Sequence, residues 1–579
     1  MNLETIRDQI KDYATNFEVL SDGITKAFDV APERVRDLAK VMMENGVDHL
    51  PLIIALETED NKLELRYIYS VLDGGQPGKG QEEGLHQKTV ARVVLPDEKT
   101  TVPSIQDLYP VAVFHEREAF DMLGIEFTPK ERIRRILLPD PLPEDVHPMR
   151  KKYTHQVLGD IVRVESEKRA ERLPGGTEVI KERADYAVVV GPQHPTHKEP
   201  IRFVFHIAGE TVEDADVRVG FNYRGIEKAF EARTWLQNMY LGERICGICS
   251  ASHQLCMGEV VEKVAKIEAP ERAQLIRIIV LELERIHSHM LWYGVLAHDA
   301  GYDTLFHLTW RDREIVMDDL EIISGNRVNY SMVTPGGVRR DIPKEMGEKI
   351  AQHQKTLRKK VEEHRVFLEK ETTFVKRLED VAPLTFHDAI KYSAVGPTLR
   401  AAGVKRDARK IDPSPKAYDD MPFPIRIGDT GDVYDTMVVR IDETLDSIDI
   451  VLHALDRLKE MPEGDIAVKF PRKIPPNEAY NRVEAPRGED MHYARSAGGT
   501  GPDRYRVRAP TLQNLPSLVK RLQGIQVADI PVAIRSIDPC IGCMERVTFV
   551  KPSGQSVEMS GTQLKKRAYE WYATGRKVV

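Results

Sequence analysis

The sequence predicts a multidomain protein: an N-terminal α+β module, then a mainly α-helical domain with a small β element at its start. Three observations predict this. The 579 residues exceed what one ordinary hydrophobic core organises. Strand-like runs cluster before residue 96 and again just after residue 185, and from Gly225 onward apolar residues recur mainly at helical spacing.

Within residues 1–150, helical spacing over Asn2–Leu20 and Ala31–Asn45 precedes two β-like runs, Pro51–Glu57 and Leu63–Leu72, parted by the polar turn TEDNK. A third run, Thr89–Leu95, follows the flexible stretch Gly74–Gly84. FHEREAFDMLGIEF then alternates charges with aromatics on a helix, and RRILLPDPLPEDVHPMRKKY leaves it as an extended, proline-rich segment. Residues 151–184 are charged, contain Pro174-Gly175-Gly176 and read as an interdomain linker. The second domain, 185–546, opens with the alternating stretch from Tyr186 to Phe221. Pro270–Tyr293 predicts a long buried helix, with Pro270 before its first turn and Gly294 after its last. Residues 547–579 stand apart as a C-terminal extension.

Composition is that of a globular protein, 41% hydrophobic and 30% charged, without low-complexity tracts or an internal repeat. A net charge of −8 on 174 charged residues, with no long basic run, argues against a nucleic-acid partner. The opening segment MNLETIRDQIKDYATNF lacks the apolar core of a signal peptide, which predicts residence in the cytoplasm. The most apolar stretch, Leu275–Leu283, is interrupted by Arg277 and Glu282 and falls short of the roughly 20 residues of a membrane span. Work at a membrane would therefore require partner subunits as anchors.

Four of the five cysteines form two pairs, Cys246/Cys249 in RICGICSASH and Cys540/Cys543 in DPCIGC. A structural zinc site draws its ligands from a short local loop, so pairs this far apart suit one shared transition-metal site better. Two independent CxxC disulfides are the plainer alternative, disfavoured by a reducing compartment and silent about Arg244, His253 and Asp538. The fifth, Cys256, has no partner and reads as a small buried hydrophobe.

The arrangement Arg-x-Cys-Gly-x-Cys-x-x-x-His early and Asp-Pro-Cys-x-x-Cys late resembles the two signature motifs of nickel-iron hydrogenase large subunits. YRGIEK, ELERIHSHM, GNRVNYSMVTPGGVRRDI, GPTLRAAG and EAPRGEDMH are similar to segments shared by the D-type subunit of respiratory complex I and the group 4, energy-converting hydrogenases. In the first module, Glu116, Arg117, Glu118, Asp121, Gly124, Arg134, Arg135, Leu137, Pro139, Pro148, Arg150 and Lys151 match the C-type subunit of complex I, a docking element without a cofactor. The fusion of C-type and D-type modules resembles formate hydrogenlyase large subunits, and the stretch HDAGYDTLFHLTW through VRRDI resembles archaeal membrane-bound hydrogenases. Complex I D-type subunits lack the four cysteines and use the vacated cavity for quinone; this chain keeps all four.

The resemblance implies a nickel-iron centre whose iron carries carbon monoxide and cyanide, with Cys246 and Cys540 as terminal nickel ligands and Cys249 and Cys543 as bridges. It implies catalytic roles for Cys540 as base, for Glu199 in HKEP as proton relay and for Arg487 in EAPRG as a guanidinium over the metals. His253 would donate a hydrogen bond to a cysteine sulfur. Without the motifs, Glu199 reads as a surface glutamate, Arg487 as half of a buried salt bridge and His253 as a packed residue; Glu227, His287 and His289 read as structural.

Arg546 stands where many relatives have a C-terminal His, which speaks against a magnesium-type site there, and the 33 residues beyond it resemble an extension removed by a maturation endopeptidase after nickel insertion. Iron-sulfur clusters would sit only in partners, since no spare cysteines hold one here. The implied partners are an iron-sulfur small subunit, ferredoxin-like or formate dehydrogenase-linked electron-transfer subunits, and antiporter-like integral membrane subunits, with this chain peripheral on the cytoplasmic side. Two other readings remain open: a metal-free, complex I-like NADH/quinone oxidoreductase subunit of fused C/D type, and a zinc-stabilised assembly scaffold.

Overall fold

The computed structural model describes residues 9–20, 25–58, 60–71, 89–96, 100–129, 136–138, 142–143, 145–154, 157–158, 161, 185–194 and 199–541. The stretch Gly74–Gly84, Cys543, Arg546, the C-terminal extension and most of the expected linker lie outside them.

Strands β1 (Ala14–Val19), β2 (Lys26–Val30), β3 (His49–Glu57), β4 (Leu63–Ser70) and β5 (Thr89–Leu95) form one sheet in the order β1-β2-β5-β4-β3. Only β2 and β5 run parallel. Helix α1 (Val35–Glu44) contributes Leu38, Ala39 and Met42 to the core shared with Ile53, Leu65 and Tyr67, and α2 (Ala112–Leu123) packs on β3. The expected helix over Asn2–Leu20 is wrong in its second half, which is β1. A register shift between Thr15 and Glu18 breaks the strand's alternation and leaves Ala14 and Phe17 three positions apart, the spacing of a helix face.

In the C-terminal half, β6 (Tyr186–Val190), β7 (Arg202–Ala208) and β8 (Thr211–Arg218) form a small antiparallel sheet in the order β8-β7-β6. Helices follow: α3 (Ile226–Glu231), α4 (Trp235–Glu243), α5 (Ser250–Ala265), α6 (Glu271–Asp299), α7 (Asp303–Ser324), α8 (Lys344–Lys370) and α9 (Val433–Glu460). Helix α6 packs between α7 and α9, with α8 against both, so α6 is buried nearly all round. Gly294 lies inside α6 and does not end it. A Cβ there would stand 2.4 Å from Thr309 Oγ1, so the glycine is where α7 crosses α6 closely.

A second antiparallel sheet, β9 (Asn477–Ala485), β10 (Gly488–Ser496) and β11 (Arg504–Arg508), was not foreseen. Helix α5 packs on β9 and β10, and α10 (Pro510–Arg521) and α11 (Ile530–Arg535) follow. This sheet joins the two halves of the chain. Tyr480, Met491 and Tyr493 form one apolar cluster with Leu52, Ile54, Leu56, Ile68 and Val90 of the N-terminal sheet. Strand β3, an edge of its sheet, has carbonyls at Leu50, Pro51, Ala55 and Glu57 that accept from Gln513, Arg508, Arg504 and Arg495, which blunts the edge.

Inside the bundle, Glu282 of α6 is fully buried between Arg285 and Arg409 and accepts from Ser447 of α9 at 2.6 Å and from Tyr418. Burial alone would raise its carboxyl, but the two guanidiniums and two hydroxyls outweigh that and hold it near about 2, against an ordinary 4.5. A difference of that size corresponds to about 3 kcal/mol of stability, present in full above pH 4.5 and lost as pH falls through about 2. Glu282→Gln is therefore expected to lower the urea unfolding free energy by about 3 kcal/mol at pH 6, with the gap to wild type narrowing below pH 4.5. A gap independent of pH would show that the pair of guanidiniums does not hold the carboxyl ionised.

Candidate metal centre

Cys246 and Cys249 lie on the loop between α4 and α5, and each side of that loop is tied down. Upstream, Arg224 donates to the carbonyls of Arg244 at 2.7 Å and Ile245 at 2.5 Å. Within it, the backbone N–H groups of Ile248 and Cys249 both reach Cys246 Sγ at 3.2 Å. Downstream, Cys249 is the residue before α5, whose first amides would otherwise lack partners. Glu284 of α6 supplies them: its carboxylate accepts from Ala251 N at 2.6 Å, Ser252 N at 2.9 Å, Ser252 Oγ at 2.6 Å and Ser250 Oγ at 3.2 Å.

Cys540 arrives from the other end of the domain, after α11 and a left-handed Asp538 at φ 53°. Its N–H donates to Thr511 Oγ1 on α10 at 3.2 Å. Its sulfur stands 3.3 Å from Cys246 Sγ, too far for a disulfide of about 2.05 Å. Cys246, Cys249 and Cys540 are all buried and cluster with Ala509 and Ile248.

Arg487 occupies the two-residue turn between β9 and β10, where Ala485 pairs with Gly488. The turn seats against Gly396: a Cβ on that glycine would fall 2.2 Å from Gly488 Cα, so both positions need the bare backbone. From there Arg487 Nη1 donates to Cys249 Sγ and Ser288 Oγ, both at 3.1 Å, Nη2 to Asp538 Oδ1 at 3.0 Å and Nε to the Asp538 carbonyl at 2.9 Å. Burial would favour the neutral form, but Asp538 and the three sulfurs more than offset it and keep the guanidinium charged. Asp538 also meets Arg440 Nη1 at 3.4 Å, and that guanidinium lies 4.5 Å over the Trp292 ring.

Glu199 is half-buried and accepts from the backbone N–H of Ile541, next to Cys540. It lines a cavity of about 430 Å³ together with Cys246, Cys540, Arg487 and Trp292. The expected hydrogen bond from His253 to a cysteine sulfur is not formed among the described residues. Its Nδ1 stands 2.9 Å from Asp490 Oδ2, and its Nε2 is buried without a hydrogen-bond partner there. Cys256 is buried one turn on, donating weakly to the carbonyls of Asn481 and Asp490, and burial pushes its thiol well up.

The structure thus brings Cys246, Cys540, Arg487 and Glu199 around one cavity, with Cys249 in the buried sulfur cluster beside it. Three sulfur donors with amide and guanidinium N–H groups aimed at them fit a soft metal held by thiolates, which are anionic and need such compensation. The sequence reading missed Arg224, Glu284, Arg440 and Thr511. Arg224 and Glu284 do fall inside the segments YRGIEK and ELERIHSHM, but nothing in their spacing shows which loop they brace.

Residues 224–299 match the nickel-dependent hydrogenase family, 299–476 and 466–546 the 49 kDa subunit of respiratory-chain NADH dehydrogenase, and 28–157 its 30 kDa subunit. The fold and site are those of an oxidoreductase subunit with a 30 kDa-like module followed by a 49 kDa-like module. The chain belongs to the family that unites membrane-bound hydrogenase large subunits with the corresponding complex I subunits. It is 45% identical to membrane-bound hydrogenase subunit alpha of Pyrococcus furiosus, over 66% of this chain and 92% of that one. It is 33% identical to formate hydrogenlyase subunit 5 of Escherichia coli (86% and 85% covered), and 29% to the fused C/D 2 subunit of the NADH-quinone oxidoreductase of Aquifex aeolicus (94% and 99%). A chain of the solved membrane-bound sulfane sulfur reductase, an archaeal respiratory membrane complex, superposes with a TM-score of 0.60 at 31% identity, covering 63% of this chain and 99% of that one.

Glu284 generates a direct test. Glu284→Gln leaves one acceptor oxygen where four donors converge, so about 3 kcal/mol of stability is expected to be lost as two buried donors go unsatisfied. Ser252→Ala removes one donor and is expected to cost about 1 kcal/mol. Equal, small losses in denaturant unfolding for both variants would mean that the carboxylate does not hold the start of α5.

Proposed function

We propose that this chain is the catalytic large subunit of a group 4 nickel-iron hydrogenase, interconverting dihydrogen with two protons and two electrons in a membrane-attached energy-converting or formate hydrogenlyase-type complex. The observation that carries the reading is the convergence of Cys246, Cys249 and Cys540 on one buried cluster beside Arg487 and Glu199. A nickel-iron group held there by these cysteines and Cys543, its iron bearing carbon monoxide and cyanide, would supply the Lewis-acid and redox chemistry on dihydrogen.

The chain's own residues do the rest. Cys540, a terminal thiolate in this reading, takes or gives the proton at its sulfur. Glu199, held through the Ile541 amide, passes that proton to the cavity. Arg487, fixed by two bonds to Asp538, donates to Cys249 Sγ and would hold the iron's ligands by hydrogen bonds once the group is bound. Electrons pass through clusters in an iron-sulfur small subunit between this site and ferredoxin-like or formate dehydrogenase-linked subunits. No described helix is long and apolar enough to cross a membrane, which suits a peripheral subunit on the cytoplasmic face of antiporter-like partners. Cleavage after Arg546 by a maturation endopeptidase, and domain limits at 150, 185 and 546, belong to the same reading.

The Aquifex relative supports a second reading, a metal-free protein that contacts quinone. Metal content separates the two, and also the zinc scaffold. In the complex purified anaerobically from its host, mass spectrometry is expected to find about one nickel per chain, as one four-thiolate site requires. Cys540→Ser is expected to abolish nickel retention and hydrogen turnover together. Absent nickel in an assembled complex would favour the quinone reading, and stoichiometric zinc without iron the scaffold.

Glu199→Gln keeps the shape and removes the exchangeable carboxyl. It is expected to retain nickel while slowing hydrogen evolution by about 10²–10⁴-fold, the usual worth of a positioned proton-transfer group. Wild-type turnover in that variant would remove Glu199 from the proton path.

A further inference from the structure

Asp490 and His492 are two apart on β10, so both project to the same face of the strand, toward α5. There they meet His253. Asp490 Oδ2 is 2.9 Å from His253 Nδ1 and 3.1 Å from His492 Nε2, the two ring nitrogens are 3.2 Å apart, and the far nitrogen of His492 is 2.7 Å from the Tyr505 hydroxyl on β11. His253, Asp490 and His492 are each no more than 1% exposed. A carboxylate this deep is expensive unless opposite partial charge surrounds it. Burial pushes Asp490 up, yet the two imidazoles outweigh it and hold the carboxyl well below its usual range.

The geometry sorts the ring nitrogens. In His492, Nε2 faces Asp490 and Nδ1 faces Tyr505, so both of its positions are filled. In His253, Nδ1 is taken up by the ion-pair contact with Asp490 Oδ2 and by His492 Nε2, and only Nε2 remains, buried and without a partner among the described residues. His253 lies one turn beyond Cys249, its backbone N–H donating to the Cys249 carbonyl at 3.1 Å, so ring and sulfur lie on one face of α5.

We propose that Asp490 is a positioning residue for the metal centre: it fixes the His253 ring so that Nε2 is the atom left for the thiolate cluster, and His492 with Tyr505 anchors Asp490 in turn. This rests on the nickel-iron reading. The chain His253-Asp490-His492-Tyr505 runs from the cysteine helix through two strands of the sheet that meets the N-terminal module.

The test uses the anaerobically purified complex carrying Asp490→Asn, His253→Gln, both together, or Tyr505→Phe. Nickel per chain, the infrared bands of the iron's carbon monoxide and cyanide, and the midpoint potential of the centre are measured beside turnover. Asp490→Asn is expected to keep its nickel, shift bands and potential in the same direction as His253→Gln, and slow turnover by about tenfold or more. Because Asp490 acts through His253, the double variant is expected to be no worse than His253→Gln alone. If Asp490→Asn fails to assemble, Tyr505→Phe, which keeps the carboxylate, is expected to shift the bands the same way by less. Additive effects, or wild-type bands in both Asp490→Asn and Tyr505→Phe when wild type holds nickel, would overturn the inference alone. So would a second stoichiometric metal that Asp490→Asn removes, which would make the triad a ligand set. Wild type without nickel or diatomic bands would overturn this inference and the hydrogenase reading together.

Discussion

One guanidinium joins everything that makes this site. Arg487 touches Cys249 from the first cysteine motif, Asp538 from the second and Ser288 from the central helix α6. These three segments are remote in sequence and carry no covalent tie among the described residues. Without a donor between them, the Asp538 carboxylate would be buried with only the weaker contact to Arg440 at 3.4 Å. A planar group with five N–H donors in fixed directions can serve all three at once, and a lysine ammonium cannot match that geometry. The two stacked glycines, Gly396 and Gly488, exist to let the turn carrying this side chain reach its place.

Strand β10 extends that constraint to the N-terminal module. Its side chains alternate: Asp490 and His492 toward α5 and the cysteines, Met491 and Tyr493 into the apolar cluster shared with Leu52, Ile54 and Leu56. A one-residue slip would exchange the two faces and bury Met491 among charges, so docking of the first sheet and geometry at the site share one register. The arginines that cover the edge of β3 come from β10 itself (Arg495) and from β11, where Arg504 and Arg508 pair at the same time with Glu227 and Glu489. The module is therefore held by the same sheet that carries Arg487.

What was legible in the sequence follows from where the chemistry is written. Cysteine pairs with their flanking Arg, His and Asp are local words, and Cys246 and Cys540 meet although 294 positions separate them. The strands Thr89–Leu95 and Pro51–Glu57 were legible because they alternate or run apolar between polar turns. The sheet β9–β11 was not. Strand β11 reads Arg-Tyr-Arg-Val-Arg and is buried at every position, its charges satisfied by Glu118, Glu227 and Glu489 from elsewhere. Hydropathy cannot find a strand whose burial depends on ion pairs, and spacing cannot show that Glu284 reaches back to brace α5. The bulge in β1 and the glycine inside α6 misled for related reasons: each imitates in sequence a signal that tertiary contact reverses.

The charge arrangement speaks to function. Around the sulfurs, two fully buried guanidiniums, Arg487 and Arg440, share one carboxylate, Asp538, while His289 beside Arg440 is driven down to about 3 by burial and stays neutral. Buried charges of this kind rarely add stability compared with apolar packing, so their retention calls for another purpose. Thiolates supply it. Arg487 Nη1, 3.1 Å from Cys249 Sγ, puts positive charge directly against a sulfur, and that suits an anionic sulfur that serves as a metal ligand. A neutral quinone would give that guanidinium no anionic partner at the sulfur position, and this supports reading the cluster as a metal centre with Arg487 as its counter-charge.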